Sequence, residues 1–134
     1  MSSETLLVTL EANAEARDVI DETIGAQAKI IYLANLADGA RADALANATA
    51  ILALNTAKEL RPGEAAKIIN AKLLQFVSAG IDFIPLGEFP PTLPIASNGG
   101  GYAEPMAEHA VMITLAALGG MLLIYRGATK HGIR

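Results

Sequence analysis

The sequence predicts a doubly wound α/β domain, on three observations. Five short apolar runs recur between Leu6 and Ala96, helical or turn-forming stretches separate them, and the runs are continuous rather than alternating. Strands that read as unbroken apolar runs are buried on both faces, as the strands of a parallel sheet are, whereas alternation marks a sheet with one wet face. Right-handed crossovers then leave few topologies for five such strands. The expected one is the flavodoxin-like order 2-1-3-4-5, with a long apolar C-terminal helix after it.

Leu6–Leu10 reads as the first strand, and Ala16, Val19, Ile20 and Ile24 then repeat at helical spacing until Gly25 ends the pattern. Lys29–Leu33 is the second strand, and Gly39–Ala48, with Ala40, Ala44 and Leu45, is a short helix. Ala50–Leu54 is the third strand, with Asn55-Thr56 at its carboxyl end. Pro62 is expected to enter a helix carrying Ala65, Ile68 and Ile69. Leu73–Val77 is the fourth strand. Ser78-Ala79-Gly80, a partly ordered segment through Pro85 and Leu86, and the turn at Pro90-Pro91 precede a fifth strand near Leu93–Ala96.

The last helix is marked at its start. Pro105 suits the first helical position, where a missing N–H costs nothing, and Glu104 and Glu108 place negative charge at the positive end of the helix dipole. From Ala110 to Tyr125 nearly every residue is apolar or small, so another domain, a symmetry partner or a membrane must cover it. Those sixteen residues fall short of the about 20 that cross a bilayer, and Gly119-Gly120 interrupts them, so no membrane is expected. No secretory leader is visible after Met1, and the chain has no cysteine, so the expected compartment is the cytoplasm and thiol chemistry is excluded.

Composition narrows the function classes further. A net charge of −4 and a charged fraction of only 18% offer no basic face to nucleic acid. An apolar fraction of 52% argues against disorder and suggests more buried surface than one small domain needs, hence an oligomer or a further domain. No His, Asp or Glu grouping has metal-ligand spacing.

In a doubly wound sheet the ligand crevice lies at the carboxyl ends of the strands beside the switch point, which singles out residues 11–13, 55–58 and 78–82. Gly80 is a position where backbone N–H groups can approach an anion unblocked, or an ordinary turn. Gly99-Gly100-Gly101 is a hinge, because a dinucleotide fingerprint needs Gly-x-Gly-x-x-Gly directly after a strand. His109 reads as a packed or interface histidine, since no acid or nucleophile is paired with it, and His131 as a solvated one. A phospho-acceptor aspartate is missing after the third strand, where Leu54-Asn55-Thr56 stands. The flavin phosphate loop is missing after the first, where Glu11-Ala12-Asn13 stands.

Lys72-Leu73-Leu74-Gln75-Phe76-Val77-Ser78-Ala79-Gly80-Ile81-Asp82, then Pro94-Ile95-Ala96-Ser97-Asn98, then Tyr102-Ala103-Glu104-Pro105-Met106-Ala107-Glu108-His109-Ala110, resemble the N-terminal domain of the D-isomer-specific 2-hydroxyacid dehydrogenases. The resemblance is collinear and firmest over 72–118; before Asn55 it rests on the fold alone. It implies a substrate-binding domain over 1–101, an interdomain and dimerisation helix over 102–126, and over 127–134 the start of a linker to a Rossmann domain. It implies backbone contacts from Ala79 and Gly80 to a substrate carboxylate, with Asn55 beside them, and it sets Asn98 and Met106 toward the nicotinamide. The family's Gly-x-Gly-x-x-Gly, its carboxylate-binding arginine and its His and Glu pair would lie beyond Arg134, so no catalytic residue is expected in this chain. NAD or NADP is implied for the full-length enzyme and none for this chain alone. The implied partners are a small 2-oxo or 2-hydroxy acid, the Rossmann domain and a second copy bound through the 103–125 helix. The alternative is a stand-alone flavodoxin-like interaction module without catalysis.

Overall fold

The computed structural model describes residues 4–130, with side chains through Gly127. The chain divides into two compact units, Met1–Gly99 and Gly100–Arg134.

In the first unit five parallel strands, β1 (Thr5–Val8), β2 (Lys29–Tyr32), β3 (Ala50–Ala53), β4 (Leu73–Phe76) and β5 (Ile95–Ala96), form one sheet in the order β2-β1-β3-β4-β5. This is the doubly wound order expected, and β1 to β4 end one or two residues earlier than their apolar runs. Register is set by pairs such as Leu7↔Ile31, Leu7↔Ile51 and Ile51↔Leu74. Two helices flank it: α1 (Ala14–Ile24), started by Asn13 whose Oδ1 accepts from the Ala16 N–H at 2.9 Å, and α2 (Asp38–Asn47).

The two faces of the sheet are not equally covered. Leu7, Ile51, Ala53, Leu74 and Phe76 point to one side and are buried there with Leu33, Leu45, Ala48, Ile68 and Phe89. On the other side Leu6 and Val8 are buried, but Leu52 and Gln75 are half-buried and Leu73 is 38% exposed. Helix α1 buries no residue fully. The continuous apolar runs suggest burial on both faces; in β3 and β4 only alternate residues are fully buried.

Past Pro62 the expected helix is absent. Gly63 adopts a φ of 79°, which favours glycine, and the chain then makes one 3-10 turn at Ala65–Lys67. The helical turn lies earlier, as α3 (Thr56–Glu59), directly after β3. Ile68 is drawn into the core while Ile69 is 68% exposed.

The second unit is α4 (Ala103–Lys130), a helix of 28 residues. Pro105 stands third in it rather than first, still within the turn whose N–H groups lack helical acceptors. The helix continues through Gly119-Gly120, because the surrounding Ala, Leu and Met offset the about 1 kcal/mol that each glycine costs. The helical span Ala103–Gly127, longer than the sixteen-residue apolar run within it, is long and apolar enough to cross a membrane by length and composition alone. His109 is exposed on α4 rather than packed within the chain, and His131 lies outside the described residues.

Candidate functional site

The carboxyl ends of β3, β4 and β5 carry four of the five residues singled out. Asn55 stands two positions past Ala53 and Ser78 two past Phe76, and Ala53 and Phe76 are register partners, so both residues follow the paired ends of β3 and β4. The Val77 N–H donates to the Ala53 carbonyl at 2.9 Å, which carries the pairing past β4, and the Asn98 N–H donates to the Ser78 carbonyl at 3.0 Å, which ties in the end of β5. Met106 belongs to α4, where it is 63% exposed.

Ala79 and Gly80 are exposed, and among the described residues neither N–H has a protein acceptor. Two successive N–H groups left free at a strand end can donate to an anion, without the positive φ at Gly80 that a backbone nest would show. A Cβ built on Gly80 would meet only Asp82 Oδ2, at 3.7 Å, so nothing crowds the turn.

Three side-chain oxygens after β3 and β4, Asn55 Oδ1, Thr56 Oγ1 and Ser78 Oγ, are buried without a hydrogen-bond partner in the described structure. Orphaned buried polar atoms are expensive, and these lie below the accessible surface of the strand ends. Nothing in the sequence sets Ser78 apart within its loop, because a serine between valine and alanine carries no spacing cue.

Asn55 also lines a cavity of about 660 Å³ at the switch between β1 and β3, together with Thr9, Glu11, Leu54, Lys58 and Phe83. Glu59 holds its wall. One carboxylate oxygen of Glu59 accepts from Thr9 Oγ1 at 2.6 Å, and the other accepts from the Leu54 N–H at 3.1 Å and from the Asn55 N–H. The loop after β3 is thus closed onto the end of β1 by one side chain.

Arg41, which also lines the cavity, belongs to a buried ion pair. Arg41 on α2 donates from Nε to Glu64 Oε1 at 2.8 Å and from Nη2 to Oε2 at 2.7 Å, a side-on bidentate contact. Arg41 Nη2 also donates to the Glu59 carbonyl at 3.2 Å, and Glu64 accepts from the Arg61 N–H at 2.9 Å. The Arg41 guanidinium, more than any other group, holds the Glu64 carboxyl below its ordinary 4.5. Among the described residues no group of three or more His, Asp or Glu could hold a metal ion.

No protein-family model and no curated protein matches the chain. Among solved structures it is similar to a glycerate dehydrogenase-related protein from Thermoplasma acidophilum, at 23% identity and a TM-score of 0.60. The similarity covers 97% of this chain and 40% of that one, so the chain spans well under half the length of the protein whose fold it shares.

Proposed function

We propose that this chain is the substrate-binding part of an NAD(P)-dependent D-2-hydroxyacid dehydrogenase, cytoplasmic, dimeric and inactive without its nucleotide-binding domain. The observation that carries the reading is the pair of unspent N–H groups at Ala79 and Gly80, beside Asn55, on a fold shared with a dehydrogenase-related protein. In such a reaction the hydrogen on C2 of the hydroxy acid leaves as hydride to the nicotinamide, and the hydroxyl proton goes to a general base. Fixing the carboxylate at Ala79 and Gly80 orients C2 for both departures and adds no reacting group. Asn98, and Met106 on α4, are assigned to the nicotinamide side of the cleft. NAD or NADP is bound by the further domain.

The test is to determine the mass of the natural gene product and assay it with NAD or NADP and a panel of 2-hydroxy acids. A product heavier than 134 residues that reduces the cofactor, with the isolated chain inert, supports the reading. A natural product of 134 residues that works without a nucleotide-binding partner would overturn it in favour of a stand-alone interaction module.

A further inference from the structure

Helix α4 has no fully buried residue through Gly127, although it is apolar on most sides. Val111, Leu115, Leu118 and Leu122 recur along it at spacings of four, three and four. The same alternation runs outward to Glu108 and Glu104 at one end and to Tyr125 at the other. These residues share one stripe of the helix, at the period of a coiled-coil seam, and all of them are exposed. The stripe is aliphatic in its middle and carries carboxylates at its first two positions.

A seam charged at one end only is sensitive to direction. Were two copies to pair in parallel, Glu104 would meet Glu104 and Glu108 would meet Glu108, so four carboxylates would crowd one end of a pair whose helix dipoles are also aligned. Antiparallel pairing centred between Leu115 and Leu118 removes both conflicts. Leu115 then faces the second copy's Leu118, and Val111 faces its Leu122. Glu108 faces its Tyr125 with Arg126 next in the chain, which brings a phenol and a cation where the parallel pair brings a second carboxylate. A register shifted by one heptad toward the helix starts would set Glu108 against Leu118, a carboxylate against an aliphatic side chain. A polar residue in an otherwise apolar seam fixes register in this way.

We propose that two copies of the chain pair through α4 as an antiparallel helix pair, with Val111 on the second copy's Leu122, Leu115 on its Leu118 and Glu108 on its Tyr125. The inference rests on the reading of the chain as a dimer and adds the direction and register of the interface.

The chain has no cysteine, so introduced thiols report on this contact alone. Whole chains carrying Val111→Cys or Leu122→Cys, both at exposed positions outside the core, are oxidised in a glutathione buffer at tens of micromolar, each alone and mixed in equal amounts. The products are identified by intact mass. A disulfide needs Cα atoms within about 7 Å, whereas the two Val111 of the antiparallel pair would lie about 16 Å apart along the axis. The mixture is therefore expected to yield at least about tenfold more linked dimer, of the mixed mass, than either variant alone. Linked dimer from each variant alone means parallel pairing, which overturns the direction and leaves the dimer standing. A dimer in sedimentation that no pair of thiols links places the interface off this seam and overturns the arrangement. A monomer at every concentration, or a chain that stays in solution only in detergent, overturns the dimer as well.

Discussion

The guanidinium of Arg41 lies side-on to the carboxylate of Glu64, with both nitrogen-to-oxygen contacts under 3 Å and both side chains at least 90% buried. Twenty-three residues separate them, and the pair joins α2 to the segment that returns from the site toward β4. Neither partner can be lost cheaply, because the survivor remains as an uncompensated charge in a dry place.

Glu64→Gln is therefore expected to destabilise the domain by about 3 kcal/mol, read from denaturant midpoints at neutral pH. The pH dependence has a definite sign. The Glu64 carboxyl is held below 4.5 in the folded state, first by the hydrogen bond from Arg41. Its contribution is thus full above the unfolded value and is lost as pH falls through the depressed folded one. Asp38, paired with exposed Arg61 at 2.6 Å, is shifted in the same direction. The unaltered chain should lose stability on acidification below about 4.5, and Glu64→Gln should flatten that loss. An acid limb equally steep in the variant would assign the dependence to other carboxylates.

Glu59 makes a second, separable prediction. Its carboxylate accepts from Thr9 Oγ1 and from the N–H groups of Leu54 and Asn55, so its removal frees the loop after β3 rather than the core. Hydrogen bonds to a charged group contribute about 1.5–3 kcal/mol each, and part of that is regained by water at this half-buried site. Glu59→Ala should speed hydrogen exchange at Leu54 and Asn55 by at least about tenfold and leave Leu74 protected until global unfolding. Uniform acceleration across the sheet would mean that Glu59 supports the whole domain.

How far the sequence reveals such features depends on their range. The strands are legible because Leu6–Val8 and Ile51–Ala53 are apolar in themselves and Gln75 alone interrupts Leu73–Val77, and their order follows from crossover handedness. The stretch after Pro62 is not legible. Glu64-Ala65-Ala66-Lys67 has good helix formers, yet the Glu64 carboxylate is engaged by Arg41 and the Arg61 N–H, and Ile68 is pulled into the core. Both are tertiary effects, and they override local propensity. In the site, Gly80 and Asn55 can be picked out because they follow apolar runs. The partnership of Glu59 with Thr9 spans fifty residues, and the orphaned state of Ser78 Oγ exists only once β3 and β4 are in register.

Helix α4 carries Val111, Leu115, Leu118 and Leu122 at four-three-four spacing, all more than half exposed. That is the spacing of a helix-pairing seam, and a second copy presents the same seam in a two-fold arrangement. Sedimentation at tens of micromolar is expected to show a dimer, and Leu115→Glu combined with Leu122→Glu a monomer with unchanged strand content. A monomer at all concentrations would reject self-association through this helix. A chain that stays in solution only in detergent would instead favour a membrane as the cover, consistent with the length and hydropathy of Ala103–Gly127.

Gly80→Ala separates binding from folding. The added methyl would lie 3.7 Å from Asp82 Oδ2, an ordinary contact, and no positive φ at Gly80 demands glycine. Stability should change by less than about 1 kcal/mol, the size of a glycine-to-alanine effect in a compatible conformation. Binding is expected to fall, because any side chain at Gly80 narrows the approach of an anion to the Ala79 and Gly80 N–H groups. Affinity for a 2-hydroxy acid, measured on the chain by amide shifts, is expected to fall by at least about tenfold at unchanged thermal midpoint. Were the variant to bind as tightly as the parent, the carboxylate would have to rest elsewhere, and Lys58 at the rim of the neighbouring cavity would be the next cation to substitute.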